Sequence, residues 1–293
     1  MFTPSFHRTL TAAELDLLLP WAHSYSDWQR QTWLPLWLNG LRLGRLNETW
    51  AQRVQQDWTE TLSEDSDGLH LSADGWLALG DSLQNMARRW QELGLLKGWR
   101  DERFDVRDGG GGVLFALERA AFRPLGLMSR AIHVNGLTCD GGTWKFWIGR
   151  RSPFKAVDPD KLDNLVGGGI TAGESVQTAM LRESAEEAGL DENLMRHAQE
   201  QCRLLSCRAV SRGLHYEVLH VFDIEIPAGI RPENQDGEVA GFELMDLDTL
   251  AAAMCAGKLM DDAQMATLNA MLRFGLIDAA HPLAGWLHGL AWK

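Results

Sequence analysis

Glu183, Glu186 and Glu187 stand at i, i+3 and i+4, a spacing that puts three carboxylates on one face of a helix. Like charges so placed repel, and a divalent cation would offset that cost. Hard oxygen ligands on a partly built site are what Mg²⁺ uses when it also binds substrate phosphates. Gly167-Gly168-Gly169 comes before them, then Glu174 and Arg182. Glycines there permit close backbone approach to a ligand. An acidic helix face alone reads as solvated surface. The glycine turn and the Arg182/Glu174 pair shift the reading toward a metal site.

Residues 168–190 resemble the Nudix box, Gly-x5-Glu-x7-Arg-Glu-U-x-Glu-Glu-x-Gly-U, where U is bulky and apolar. Gly168, Glu174, Arg182, Glu183, Glu186, Glu187, Gly189 and Leu190 fall in register, and Ser184 stands where an aliphatic residue is usual. The likeness extends outside the box. Segments 94–102, 117–121, 133–136, 149–152, 162–164 and 235–239 resemble the thiamin-pyrophosphokinase-related Nudix branch, which carries an extra N-terminal domain. Gly257–Ala263 departs from that branch.

The resemblance implies that Glu183, Glu186 and Glu187, with the Gly168 carbonyl, hold Mg²⁺ or Mn²⁺, and that Arg182 pairs with Glu174 to orient the helix. Glu238 sits where many such proteins carry one further acid, for a second metal or as general base; Glu186 competes for that role. Diphosphate chemistry needs charge neutralisation and an aligned water more than covalent help. Arg150, Arg151 and Lys155 could clamp phosphate oxygens, or be surface charge beside a strand. Trp99 and Arg100 could meet substrate. His133 and Asn135 could read a heterocycle, or be satisfied core polar groups. The branch implies a small organic diphosphate as substrate: thiamine diphosphate or its oxidised analogues, cut to monophosphate and phosphate. The rivals are a nucleoside diphosphate derivative and a metal-binding module without activity. A prenyl diphosphate isomerase lacks a clear catalytic cysteine.

The elements that must position these groups read as follows. Residues 11–30 and Trp76–Leu96 have helical patterning, and Trp33–Leu46 reads as a hairpin around Asn39-Gly40. Leu69–Leu71 is a short strand, and Arg107–Gly112 a mobile loop. Ala131–Thr138 and Thr143–Arg150 form a hairpin, and Leu162–Val166 leads as one strand into the glycines. Ser175 N-caps the acidic helix, whose apolar face is Val176, Ala179, Met180 and Ala185. Strands at 203–210, 215–226 and 239–244 and helices at 247–256 and 260–274 follow. This order fits a mixed α/β fold with helices on both faces of a sheet. The resemblance implies an α/β/α sandwich over 126–277, preceded by a smaller Trp-rich α+β domain at 1–125 and followed by a docking tail at 278–293.

The 293 residues are 45% hydrophobic with a net charge of −12, ample for a core. No basic stripe suggests nucleic acid, and no run of 18 apolar residues suggests a membrane span. The first residues lack a signal-peptide core, so a cytoplasmic protein is expected. Cys139, Cys202, Cys207 and Cys255 lack zinc spacing and read as buried free thiols. Nine of the 13 tryptophans fall in the first hundred residues, as core or as a stacking platform. A homodimer is the default oligomer.

Overall fold

The computed structural model describes residues 3–155 and 157–293, so the first two residues of the N-terminal stretch lie outside the description. Helix α1 (Ala12–Ser24) starts in a capping box, with Thr11 Oγ1 accepting from the Glu14 N–H and Glu14 accepting from the Thr11 N–H. Two orphan donors are thereby satisfied reciprocally. Strands β1 (Leu34–Leu38) and β2 (Leu41–Leu46) form the Asn39-Gly40 hairpin. Then follow α2 (Glu48–Asp57), β3 (Thr61–Asp65), β4 (Gly68–Ser72) and α3 (Gly75–Glu92). The four strands run in the order β2-β1-β4-β3, with only β1 and β4 parallel. Helix α2 and strand β3 escape the sequence reading. The helix buries only Ala51 and Val54, too few for a period, and β3 has no buried residue.

Strands β5 (Arg103–Arg107) and β6 (Val113–Glu118) form a separate hairpin. The loop expected to be mobile is its tight turn, fastened where Asp108 Oδ1 accepts from the Gly110 and Gly112 N–H groups. Phe104, Val106, Phe115 and Leu117 alternate inward against Leu79, Leu83 and Trp90 of α3. A short helix α4 (Phe122–Leu125) leads on to the second sheet.

That sheet holds β7 (Ser129–Asp140), β8 (Thr143–Arg151), β9 (Leu162–Asp163) and β10 (Val166–Gly169), then helices α5 (Val176–Ala188) and α6 (Glu192–Met195) cross out. The chain returns through β11 (Glu200–Val210), β12 (Gly213–Glu225) and β13 (Val239–Met245). The order is β11-β12-β7-β8-β13, with β10 on β7 and β9 on β8; only β12 and β7 are parallel. The one strand expected over 162–166 is therefore two, and the glycines are themselves the second strand.

Alternation along β7 and β12 builds the sandwich. Ile132, Val134 and Phe222 pack with Ala179 and Met180 of α5. Ala131, Leu219 and Val221 turn to the other face. There they meet α8 (Asp261–Arg273), while α7 (Leu247–Cys255) and α9 (Pro282–Gly289) cover Leu137, Phe146 and Ile148. Helix α1 packs here too, on α7 and α9, not on the four-stranded sheet. The architecture is a mixed α/β sandwich preceded by an α+β region. Two expectations for α5 and the thiols fail. Ala185 is exposed while Ser184 is fully buried, its hydroxyl 3.8 Å from Met180 Sδ. Of the four free cysteines only Cys207 is buried, and Cys139 is exposed.

Candidate active site

Helix α5 starts where Ser175 Oγ accepts from the Thr178 N–H, and its N-terminal half is tied back to the preceding loop. Arg182 donates from Nε and Nη2 to the two oxygens of Glu174, at 2.8 and 3.0 Å. The fork fixes both angle and depth, as bidentate pairs do. Arg182 also reaches Glu183 and Glu186, each at 3.0 Å. Its hydrogen bond is the main cause holding Glu174 below the usual carboxylate range.

The three helix carboxylates differ in environment. Glu186 is half exposed, whereas Glu183 and Glu187 are tucked under the glycine strand. The Gly167 N–H donates to Glu187 Oε2 at 3.0 Å. Gly168 lies directly on Glu183: a Cβ built there would stand 2.1 Å from its carboxyl carbon. Burial pushes Glu183 up to about 7, although Arg182 pulls the other way, and pushes Glu187 up to about 8. Gly168→Ala should therefore displace Glu183 and lower kcat by roughly 10²-fold. Steady-state kinetics beside a thermal melt would check it; unchanged kcat would show that Glu183 placement is not critical.

Lys155 stands between two acids, paired with Glu238 and 3.8 Å from Glu187 Oε1. Arg100 Nη1 donates to the other Glu238 oxygen at 2.7 Å. Burial would raise Glu238, but these two cations outweigh it and hold the carboxyl low.

These groups line a cavity of about 340 Å³ that takes in Arg100, His133, Arg151, Lys155, Gly168, Arg182, Glu183, Glu186, Glu187 and Glu238. Arg151 is held by Asp163 at 2.6 Å. Arg150, its neighbour on the strand, projects away, is 61% exposed and pairs with Asp160; it does not join the cavity. Neither does Trp99, whose Nε1 donates to Asp101. Among the described residues no tryptophan lines the cavity; Phe104 and Phe122 supply phenyl surface there. His133 is 3% exposed and hydrogen bonds to Asn164, which donates to Asn135. That network makes Asn135 a satisfied core group and leaves His133 one cavity-facing edge.

The sequence reading missed several wall residues. Arg119, Arg123, Arg208, Arg212, Glu217 and Asp262 all reach the cavity. Asp262 lies in the segment that departs from the branch pattern. His215, Glu217 and Asp262 bring three ligand atoms within 4.8 Å, but Arg208 already takes Asp262 at 2.7 Å, so the cluster is an ion-pair knot. Arg119 lies in the resembling segment 117–121, but no local signal marks the others, because they come from α4, β11, the β11–β12 turn, β12 and α8.

Residues 129–263 match the NUDIX domain model. The chain carries a Nudix domain. Two relatives from Arabidopsis thaliana are Nudix hydrolases: "Nudix hydrolase 24, chloroplastic" is 34% identical over 64% of this chain and 52% of its own length. "Nudix hydrolase 20, chloroplastic" is 30% identical over 62% and 51%. The chain thus spans about half the length of these curated relatives. Among solved structures, DR0079 from Deinococcus radiodurans is 23% identical, covering 57% of this chain and 98% of its own, with a TM-score of 0.43. Among the described residues no helix is long and apolar enough to cross a membrane.

Proposed function

We propose that this chain is a Mg²⁺-dependent Nudix hydrolase that cleaves a small organic diphosphate, thiamine diphosphate or an oxidised analogue, to monophosphate and phosphate. One observation carries the hydrolase reading. Two carboxylates are buried against a glycine strand and pushed into the neutral pH range, with a third beside them on the helix edge. Such a donor set fits a hard divalent cation. Glu183, Glu186 and Glu187, with the Gly168 carbonyl, would hold Mg²⁺ or Mn²⁺. When bound, the ion would polarise phosphoryl oxygens and acidify a water.

The chain's own residues have distinct parts. Arg182 and Glu174 fix the helix that presents the carboxylates. Arg151 and Lys155 offer positive charge to phosphate oxygens. Glu238, with both oxygens engaged, orders Arg100 and Lys155 at the cavity wall; a second ion there would have to displace the lysine. The thiamine part rests on the branch resemblance. Its support is that the resembling segments converge on the cavity, through Arg100 and Glu102, His133, Arg151, and Asp236 and Glu238.

The test is phosphate release with Mg²⁺ from thiamine diphosphate, oxythiamine diphosphate, ADP-ribose, NADH and nucleoside diphosphates, with Glu186→Gln as control. Preferential turnover of a thiamine-type diphosphate that is lost in the variant supports the proposal. Turnover of nucleotides alone removes the thiamine part, and no turnover of any compound removes the hydrolase reading.

Metal binding should also be visible without turnover. Glu183 and Glu187 have folded values above their ordinary value of 4.5. The stability linked to their protonation is therefore full below about pH 4.5 and lost as pH rises through 7 to 8. Mg²⁺ competes with those protons. Saturating Mg²⁺ is expected to raise Tm by about 5 °C at pH 8.5 and by much less at pH 6. A Mg²⁺ effect independent of pH in calorimetry would sever the ion from these two carboxylates.

A further inference from the structure

The cavity wall carries positive charge that the carboxylate cluster does not use. Most of its guanidiniums are spoken for: Arg100 by Glu238, Arg119 by Glu102, Arg151 by Asp163, Arg182 by Glu174 and Arg208 by Asp262. Arg123 and Arg212 are different. Among the described residues neither has a carboxylate within ion-pair distance, yet both line the cavity. Arg123 Nη2 lies 3.2 Å from His215 Nδ1. Arg212 Nη1 reaches the Lys97 carbonyl, at 3.5 Å. Of the acids whose charge Arg123 feels most, Asp262 is paired with Arg208, while Glu217 accepts from Ser129 Oγ at 2.7 Å and keeps its charge.

The fold forces the two arginines together. Arg212 sits in the turn between β11 and β12, and Arg123 in α4. The junction is Gly213, at φ 130, where a Cβ would stand 2.1 Å from the Arg123 carbonyl oxygen. No side chain could be accommodated, so the turn presses directly on the helix. Trp50 Nε1 pins it from the other side by donating to the Arg212 carbonyl at 3.0 Å. Burial lowers both guanidiniums, Arg212 to about 10, with Arg123 adding to the effect. Glu217 and Asp262 partly offset the charge of Arg123, whereas the charges that act on Arg212 are those of Arg123 and Arg119; a half-dry guanidinium so placed is costly. A planar guanidinium fork is suited to an oxyanion.

We propose that Arg123 and Arg212 form an oxyanion subsite, distinct from the Glu183/Glu186/Glu187 cluster, that holds a phosphate-type group of the substrate. The inference takes the cavity as the substrate site, in line with the function proposed above. Two sources share this chemistry: the terminal phosphoryl group of the diphosphate, and a separate anionic substituent on the organic portion.

Binding without turnover tests it first. Inorganic phosphate is titrated calorimetrically into the full chain, in EDTA at fixed ionic strength. The set is the unaltered protein, Arg212→Gln, Arg212→Lys and the exposed α3 control Arg88→Gln. The Arg212 side chain is replaced while its backbone contact to Trp50 stays, and a thermal melt confirms folding. Saturable phosphate binding is expected in the unaltered chain and the control. It should weaken roughly tenfold or more in Arg212→Gln and recover in large part with lysine. No binding in the unaltered chain, or equal affinity in Arg212→Gln, overturns the subsite whether or not the chain is a hydrolase. A second arm uses phosphate as inhibitor of whichever diphosphate turns over with Mg²⁺. With a diphosphate that carries no other anionic group, competitive inhibition lost in Arg212→Gln assigns the subsite to the terminal phosphoryl group. Phosphate binding alongside that diphosphate, equally lost, assigns it to a separate substituent of a larger substrate. Absence of inhibition at phosphate levels that saturate binding overturns its place in the substrate site.

Discussion

Glu187→Gln is expected to lower kcat by about 10³-fold, the upper range for losing one electrostatic contact to a reacting centre. The same change should leave the ion-free chain no less stable, and more stable at alkaline pH. The two effects separate because Glu187 is buried and faces the glycine strand. Its Oε2 accepts from the Gly167 N–H, a bond that the glutamine amide oxygen can keep. What glutamine cannot keep is the charge. Burial has pushed the Glu187 carboxyl up to about 8, so the folded state favours its protonated form. That contribution is complete below about 4.5, the unfolded value, and is lost as pH passes the folded value. Glutamine is neutral throughout. Its advantage over the unaltered chain should vanish in acid and be greatest above pH 8. Melting curves in EDTA from pH 5 to 9, beside kcat with saturating Mg²⁺, check both halves. A variant that keeps kcat within about threefold would place Glu187 outside the chemistry. A variant destabilised at every pH would make its role structural.

The contrast between this helix and the rest of the wall explains what sequence could reveal. Glu183, Glu186 and Glu187 lie on one helix, so helical periodicity relates them in space; Glu174 lies before that helix, and its pairing with Arg182 came from the resemblance. The strands were legible because β7, β8, β11 and β12 are long and joined by short turns, while the sandwich itself was implied by the resemblance. Short elements were not. Strand β3 buries nothing, and α2 has only two buried side chains, so neither carries a period. Arg150 and Arg151 show the limit at one residue's resolution. Adjacent strand residues face opposite sides, and a doublet of like type conceals which one points inward. Trp99 failed in another way. Its indole satisfies itself on Asp101 two residues on, a local bond that competes with any role toward substrate. Arg123, Arg208, Arg212 and Asp262 come from α4, β11, the β11–β12 turn and α8. They meet only through tertiary packing, which no local pattern encodes.

Asp262→Ala should cost about 3–5 kcal/mol of stability, the range for stripping one partner from a buried ion pair. Asp262 is 3% exposed and sits in the first turn of α8. It accepts from Ser206 Oγ at 2.6 Å and from Arg208 Nη1 at 2.7 Å, and His215 Nε2 lies 3.3 Å away. The helix N-terminus favours a negative charge there as well. Its loss would leave Arg208 with Asp261 alone, at 3.3 Å and closer to solvent. Asp261→Ala, by comparison, removes a partly exposed partner of Arg208 and the acceptor of the Trp21 Nε1 hydrogen bond, and should cost about 1–2 kcal/mol. The pH dependence has a definite sign. Burial alone would raise Asp262, but Arg208 and His215 outweigh it and hold the carboxyl well below its ordinary value. A depressed acid stabilises fully above its unfolded value and loses that contribution as pH falls through the folded one. The gap between Asp262→Ala and the unaltered chain should therefore be flat from pH 5 to 8 and narrow only in strong acid. Because Arg208 lines the cavity and His215 touches Arg123, the loss should also raise KM more than it lowers kcat. Urea unfolding of both aspartate variants, followed by kinetics at a temperature where each is folded, tests the argument. Equal small losses for the two would mean that Arg208 needs only one acid, and that the knot beside the cavity is not what holds this wall in place.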